Sequence, residues 1–156
     1  MTGSIFKGAP ASRVVTLSGE SGTGKSYLAI SICREAQKQG YTPIYMDSEG
    51  AIDAKFVARL GVDPNNLIIK QVTTIAETSR FLANTLDALK QQEEAYGTHQ
   101  KVIFVLDSLG NLTSDKEMQD TMDGNNKRDM TKAQEIKALF RVNATALARM
   151  QAPLIV

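Results

Sequence analysis

The chain has 156 residues, with 18 Lys and Arg against 17 Asp and Glu, for a formal net charge of +1. That length is one domain of the ~100–200-residue class, and near-zero charge excludes a strongly basic nucleic-acid-binding domain while leaving room for a small local DNA site. With 42% hydrophobic and 22% charged residues, the make-up is that of an ordered protein. No apolar run reaches the roughly 18 residues of a membrane span, and residues 1–10 lack a signal-peptide apolar stretch. A lone Cys33 excludes an internal disulfide and a Cys-rich zinc site, and fits a reducing compartment, so the expectation is a soluble cytoplasmic domain.

The elements alternate along the chain. Residues 13–17 form a short β-branched run that stops at Ser18-Gly19, and a glycine-rich turn then leads into a helix over 25–39, closed by Gly40. Leu28, Ala29, Ile32, Cys33 and Ala36 share one face of that helix, which makes Cys33 a small core residue. Residues 42–46 read as a second strand ending at Asp47, followed by a helix over 52–60 and a third strand over 67–70. Thr74 and Glu77 make a capping-box pattern ahead of a long helix whose apolar stripe is Ile75, Leu82, Leu86 and Leu89. Residues 102–106 are a continuous apolar strand of the kind buried on both faces of a parallel sheet. The polar stretch 110–129 reads as a loop, and a helix over 130–150 turns Ile136, Leu139, Phe140 and Leu147 inward. Residues 153–156 begin another apolar strand. Strands alternating with helices imply a parallel α/β sheet with right-handed crossovers. A chain ending on a central-type strand reads as a fragment of something longer.

The strongest chemical signal is Gly19-Glu20-Ser21-Gly22-Thr23-Gly24-Lys25-Ser26, the GxxxxGK[ST] pattern between a strand and a helix. Its glycines let the backbone curl with N–H groups aimed at phosphate oxygens, and the helix N-terminus adds its positive dipole end. Lys25 would reach the β- and γ-phosphates, and the Ser26 hydroxyl would ligate Mg²⁺. The nucleotide-binding set is these eight residues with Tyr27 directly behind them. A second signal is Asp107, a carboxylate at the carboxyl end of the apolar strand 102–106, where ligands bind in open α/β sheets; it would hold Mg²⁺ through water. Asp47-Ser48-Glu49 lies just past the second strand on the same edge. Spacing leaves two readings of Glu49: it activates an attacking water, or it is one of the acids that favour the next helix's N-terminus.

Other residues read as structural. His99 is a solvated histidine, and Met118, Met122 and Met130 read as packing residues. Asn111-Leu112-Thr113 and Asn143-Ala144-Thr145 match the glycosylation sequon, by accident in an intracellular ATP-binding chain. Lys116, Lys127 and Arg128 are interleaved with Asp115, Asp120, Asp123 and Asp129, so charge marks no DNA patch and the segment reads as a solvated loop.

Several segments nevertheless carry a resemblance. They are Tyr45-Met46-Asp47-Ser48-Glu49-Gly50, Leu60-Gly61-Val62-Asp63-Pro64 and Phe104-Val105-Leu106-Asp107-Ser108-Leu109-Gly110-Asn111-Leu112, with Asp129-Met130-Thr131-Lys132-Ala133 and Lys137-Ala138-Leu139-Phe140-Arg141. Over residues 13–156 the chain resembles the core ATPase domain of the RecA-type recombinases, and within them the UvsX recombinases of tailed phages. The resemblance implies a RecA-like P-loop NTPase core with a mostly parallel sheet, using ATP and Mg²⁺. It implies that Glu49 is the catalytic glutamate beside Lys25, and that Asp53 and Phe56 hold the adenine, one by a polar contact and one by stacking. It turns residues 114–128 into the first of two DNA-binding loops, with Lys127 and Arg128 as phosphate contacts. The partners it implies are single-stranded DNA and further copies in a helical filament, for homologous pairing and strand exchange. The family's N-terminal assembly segment, second DNA loop and C-terminal strands have no counterpart in residues 1–156, so the isolated piece is expected to show weak or no DNA-dependent ATPase activity. Two other readings stay open: another RecA-fold ATPase such as a ring helicase or clock-type ATPase, and a non-catalytic nucleotide-binding module.

Overall fold

The structure, a computed structural model, describes residues 12–122 and 131–156. Five strands make one all-parallel sheet: β1 (Val14–Val15), β2 (Thr42–Asp47), β3 (Ile68–Gln71), β4 (Val102–Asp107) and β5 (Leu154–Ile155), in the spatial order β1-β5-β4-β2-β3. The helices are α1 (Lys25–Lys38), α2 (Ala54–Arg59), α3 (Ile75–Tyr96), α4 (Asp115–Met122) and α5 (Thr131–Arg149). Among the described residues no helix is long and apolar enough to cross a membrane.

Strand alternation divides the core in two. Ile44 and Met46 of β2, Val102, Phe104 and Leu106 of β4 and Leu154 of β5 face α3 and α5, where they meet Ile75, Leu82, Leu86, Leu139 and Leu147. Tyr45, Ile103, Val105 and Ile155 point to the opposite face and pack with Ala29, Ile30, Cys33 and Ala36 of α1 and Val57 of α2. A sheet covered on both faces needs strands that are apolar at every position, and β4 is buried from Val102 to Leu106. Burial also pushes the Cys33 thiol up to about 12.

The local signals explain most boundaries. Thr74 Oγ1 accepts from Glu77 N at 3.0 Å, so the expected N-cap forms, while Glu77 Oε2 reaches one residue beyond it to accept from Thr73 N at 3.0 Å. The strand expected over 13–17 is shorter as regular structure, yet Leu154 N donates to Arg13 O and Leu17 N to Val156 O, extending the β1–β5 pairing to both ends of that run. The second helix starts later than periodicity suggests, because Asp53 caps it: Asp53 Oδ1 accepts from Phe56 N at 2.7 Å.

The polar stretch after β4 departs furthest from expectation. It opens on a 3₁₀ turn, Leu109–Asn111, and continues into α4 instead of a loop. Ser114 and Glu117 form a capping box, with Glu117 N donating to Ser114 Oγ at 2.9 Å and Ser114 N to Glu117 Oε2 at 3.0 Å. That S-x-x-E signature stands in the sequence as Ser114-Asp115-Lys116-Glu117, inside a run of charged residues. Nor do the methionines pack as expected: Met118 is 39% and Met122 81% exposed, while Met130 lies outside the described residues. Lys132 ties the far side back, donating to Gly110 O at 3.2 Å and lying 3.6 Å from Glu117.

Candidate functional site

The turn between β1 and α1 has the backbone that its glycines predict. Gly22 and Gly24 sit at φ +78° and +89°, in the left-handed region that L side chains rarely adopt. At Gly19 the constraint is space: a Cβ would lie 2.9 Å from Thr23 Oγ1. Thr23 Oγ1 donates to Glu20 O at 2.8 Å, closing the turn on itself. The Lys25 ammonium folds over the loop and donates to Gly19 O at 2.8 Å and Glu20 O at 2.7 Å. An ammonium has three donors, so one is left for a group in front of the loop.

Across from this turn, the carboxyl ends of β2 and β4 lie side by side, with Asp47 and Asp107 as register partners. Their roles differ. Asp47 is buried, and its carboxylate accepts from Glu49 N, Gly50 N and Ile52 N at 2.9, 3.0 and 3.0 Å. It is thus spent on fixing the turn that carries Glu49, an Asx-turn role that the Asp-Ser-Glu-Gly string could have signalled. Asp107 is half-buried, and its Oδ2 accepts from the Tyr45 hydroxyl at 2.7 Å. Burial first, then the hydrogen bond to Asp107, pushes the Tyr45 phenol far above its ordinary range, so it remains a proton donor.

Glu49 is exposed and held from the β4 side. Asn111 Nδ2 donates to Glu49 Oε1 at 2.8 Å, and Ser108 Oγ to the same oxygen at 3.3 Å. Ser48 and Ser108 lock the two edges together: Ser108 N donates to Ser48 Oγ at 2.7 Å, and Ser48 Oγ to Ser108 O at 2.8 Å. Tyr45 and Ser48 stand in the segment 45–50 and Ser108 and Asn111 in the segment 104–112, but sequence alone assigns none of the four a site role.

Together these residues line a cleft of about 490 Å³ formed by Ser21, Gly22, Gly24, Lys25, Ser26, Glu49, Asp107, Ser108 and Asn111. A neighbouring hollow of about 310 Å³ over the ends of β1, β5 and β4 shares Lys25, Asp107 and Ser108 and includes Gly19. The sheet order explains the opening, because β5 lies between β1 and β4 and so separates the glycine turn from Asp107 by one strand. Ser26 and Asp107 offer the cleft a hydroxyl and a carboxylate. One or two hard oxygens of this kind, completed by phosphate oxygens and water, suit Mg²⁺.

The remaining expected site residues lie apart from the cleft lining. Glu20 and Thr23 are exposed and close the glycine turn. Tyr27 is 59% exposed on the first turn of α1. Asp53 caps α2, and Phe56 packs partly against the α1-side core. Lys127 and Arg128 lie outside the described residues. His99 lies 3.1 Å from Glu93 on the surface, and of the two sequon asparagines Asn143 is buried, donating to Leu139 O.

A glycine turn and two carboxylate-bearing strand ends, set around a gap in a parallel sheet of this order, define an α/β protein with a RecA-like core. Residues 3–155 match the family described as the RecA N-terminal domain, and the chain belongs to the RecA family. It is 32% identical over 133 residues to the "Recombination and repair protein" of Enterobacteria phage T4, an alignment covering 84% of this chain and 32% of that protein. It is 33% identical over 138 residues to Protein RecA of Bacteroides thetaiotaomicron, covering 88% and 38%, and 32% identical over 146 residues to Protein RecA of Bartonella quintana, covering 90% and 39%. The chain therefore spans between 32% and 39% of the length of these relatives.

Proposed function

We propose that this chain is the ATPase core of a DNA recombinase, binding ATP with Mg²⁺ and acting with single-stranded DNA and further copies of itself in a filament that pairs homologous strands. The observation that carries the reading is the common cleft of Lys25, Ser26, Glu49 and Asp107, in a chain of the RecA family. The printed names of its relatives, recombination and repair among them, support the biological half.

In this reading the γ-phosphate is transferred to water. The N–H groups of the glycine turn and the Lys25 ammonium stabilise the charge that spreads over the phosphate oxygens. Ser26 would ligate Mg²⁺ and Asp107 would hold it through water, and the ion would supply neutralisation of phosphate charge. Glu49, fixed by Asn111 and Ser108, orients the attacking water and takes its proton. Asp53 and Phe56 receive the adenine, and Lys127 and Arg128 contact DNA phosphates.

The deciding experiment is ATP hydrolysis with Mg²⁺, with and without single-stranded DNA. Stimulation by DNA supports a recombinase core. In the full-length protein, binding of ATP with neither turnover nor a DNA response would replace this reading by a nucleotide-binding module. Removing the charges of Lys127 and Arg128 should weaken DNA binding and flatten its salt dependence.

A further inference from the structure

The chain contains a buried tyrosine hydroxyl at a place where an apolar sheet core has no need of one. Tyr45 is 0% exposed and sits among Ile103, Val105, Cys33 and Ile155 on the α1 face of the sheet. A buried phenol without a partner is costly, and this one meets its need through Asp107 Oδ2 alone among the described hydrogen bonds, at 2.7 Å. The register makes that contact possible. Tyr45 pairs with Val105 across β2 and β4, so Asp107 lies two residues further along the neighbouring strand on the same face, the diagonal distance that a long side chain can span. Asp107 also lines the cleft, so the carboxylate presented there is one whose Oδ2 is already bonded to the phenol and whose rotation is held by that bond.

We propose that Tyr45 is a positioning residue for Asp107: its hydroxyl fixes the rotation of the carboxylate so that one oxygen serves Mg²⁺ bound with the nucleotide. The inference rests on the proposed role of Asp107 and adds to it a residue that would touch neither metal nor nucleotide. Groups that orient a metal-binding carboxylate govern metal affinity by fixing the ligand's geometry, typically by about ten- to a hundredfold.

The test uses a fluorescent ATP analogue titrated onto the chain in EDTA and at increasing Mg²⁺, for the parent, Tyr45→Phe, Asp107→Asn and the double variant, with thermal unfolding of each. Tyr45→Phe keeps the ring that fills the core and removes only the hydroxyl. The expected result is unchanged analogue affinity in EDTA and an approximately tenfold higher Mg²⁺ concentration for half-maximal tightening. In the Asp107→Asn background, Tyr45→Phe should cause no further shift, since the two act as one unit. An unchanged Mg²⁺ midpoint in Tyr45→Phe, alongside a shifted one in Asp107→Asn, would overturn the positioning role and leave Asp107 as a metal residue. If neither variant moves the midpoint, the metal reading of Asp107 fails and the inference falls with it. Equal weakening of the analogue by Tyr45→Phe in EDTA and in Mg²⁺ would make the hydroxyl a packing element of the cleft and also overturn the proposal.

Discussion

Asn111 Nδ2 donates to Glu49 Oε1 at 2.8 Å, joining the 3₁₀ turn after β4 to the turn after β2 across the mouth of the cleft. Both residues are exposed, so neither is held by packing, and the direction of the Glu49 carboxylate depends on this bond and on the weaker one from Ser108. If Glu49 handles the attacking water, Glu49→Gln in the full-length protein should keep ATP affinity and lower turnover by about a hundredfold or more. Asn111→Ala should lower turnover about tenfold, again with affinity intact, because only the aim of the carboxylate is lost. Calorimetry and single-turnover hydrolysis separate the two quantities. Parental turnover in Glu49→Gln would remove it from the chemistry, and parental turnover in Asn111→Ala would make their contact incidental.

Among the described residues Lys25 is the one ammonium in the cleft lining, and it already bonds two carbonyls of the glycine turn. Lys25→Ala should cost both the third donor and the loop's shape, reducing ATP affinity by about a hundredfold, in line with ~1.5–3 kcal/mol for a charge-assisted hydrogen bond. Isothermal titration with Mg²⁺ and ATP reads this directly, and an affinity equal to the parent's would end the phosphate-loop assignment.

Glu77 gives a pH signature to the start of α3. Its carboxyl is held below the usual 4.5, first by the Lys70 ion pair at 2.9 Å and then by the backbone N–H of Thr73. A depressed carboxylate stabilises the fold above its ordinary pKa, and that contribution disappears as pH falls through the lower, folded value. Both side chains are more than a third exposed, at 41% and 37%, so screening keeps the effect to about 0.5 kcal/mol. Glu77→Gln should therefore unfold at a slightly lower temperature at neutral pH and match the parent once the pH has fallen below the lowered, folded value. Equal unfolding temperatures across the whole range would show that the pair contributes nothing.

Cys33 is 1% exposed, and burial raises its thiol from 9.0 to about 12. The thiolate is the reacting form, so iodoacetamide at mildly alkaline pH should leave the folded chain unmodified and label it once denaturant unfolds it. Labelling at the rate of a free thiol without denaturant would place Cys33 outside the core.

Sequence by itself determined what depends on near neighbours. The alternation of β2 and β4, the stripe of Leu82, Leu86 and Leu89 on α3, the Thr74 cap and the glycines of the phosphate-type turn are local patterns. Local geometry alone fixes them, and they were enough to place Lys25, Ser26 and Asp107 on one edge of a parallel sheet. Tertiary structure decided the pairings between segments far apart in the chain: β5 between β1 and β4, Asp47 beside Asp107, the Tyr45 hydroxyl on Asp107 and Asn111 on Glu49. Composition does not encode strand order or register, and a one-residue slip of β2 against β4 would turn Tyr45 to the other face of the sheet. Asp47 and Asp107 show the division most plainly. They are identical residues at identical strand ends, and only their surroundings make one a turn cap and leave the other facing the cleft.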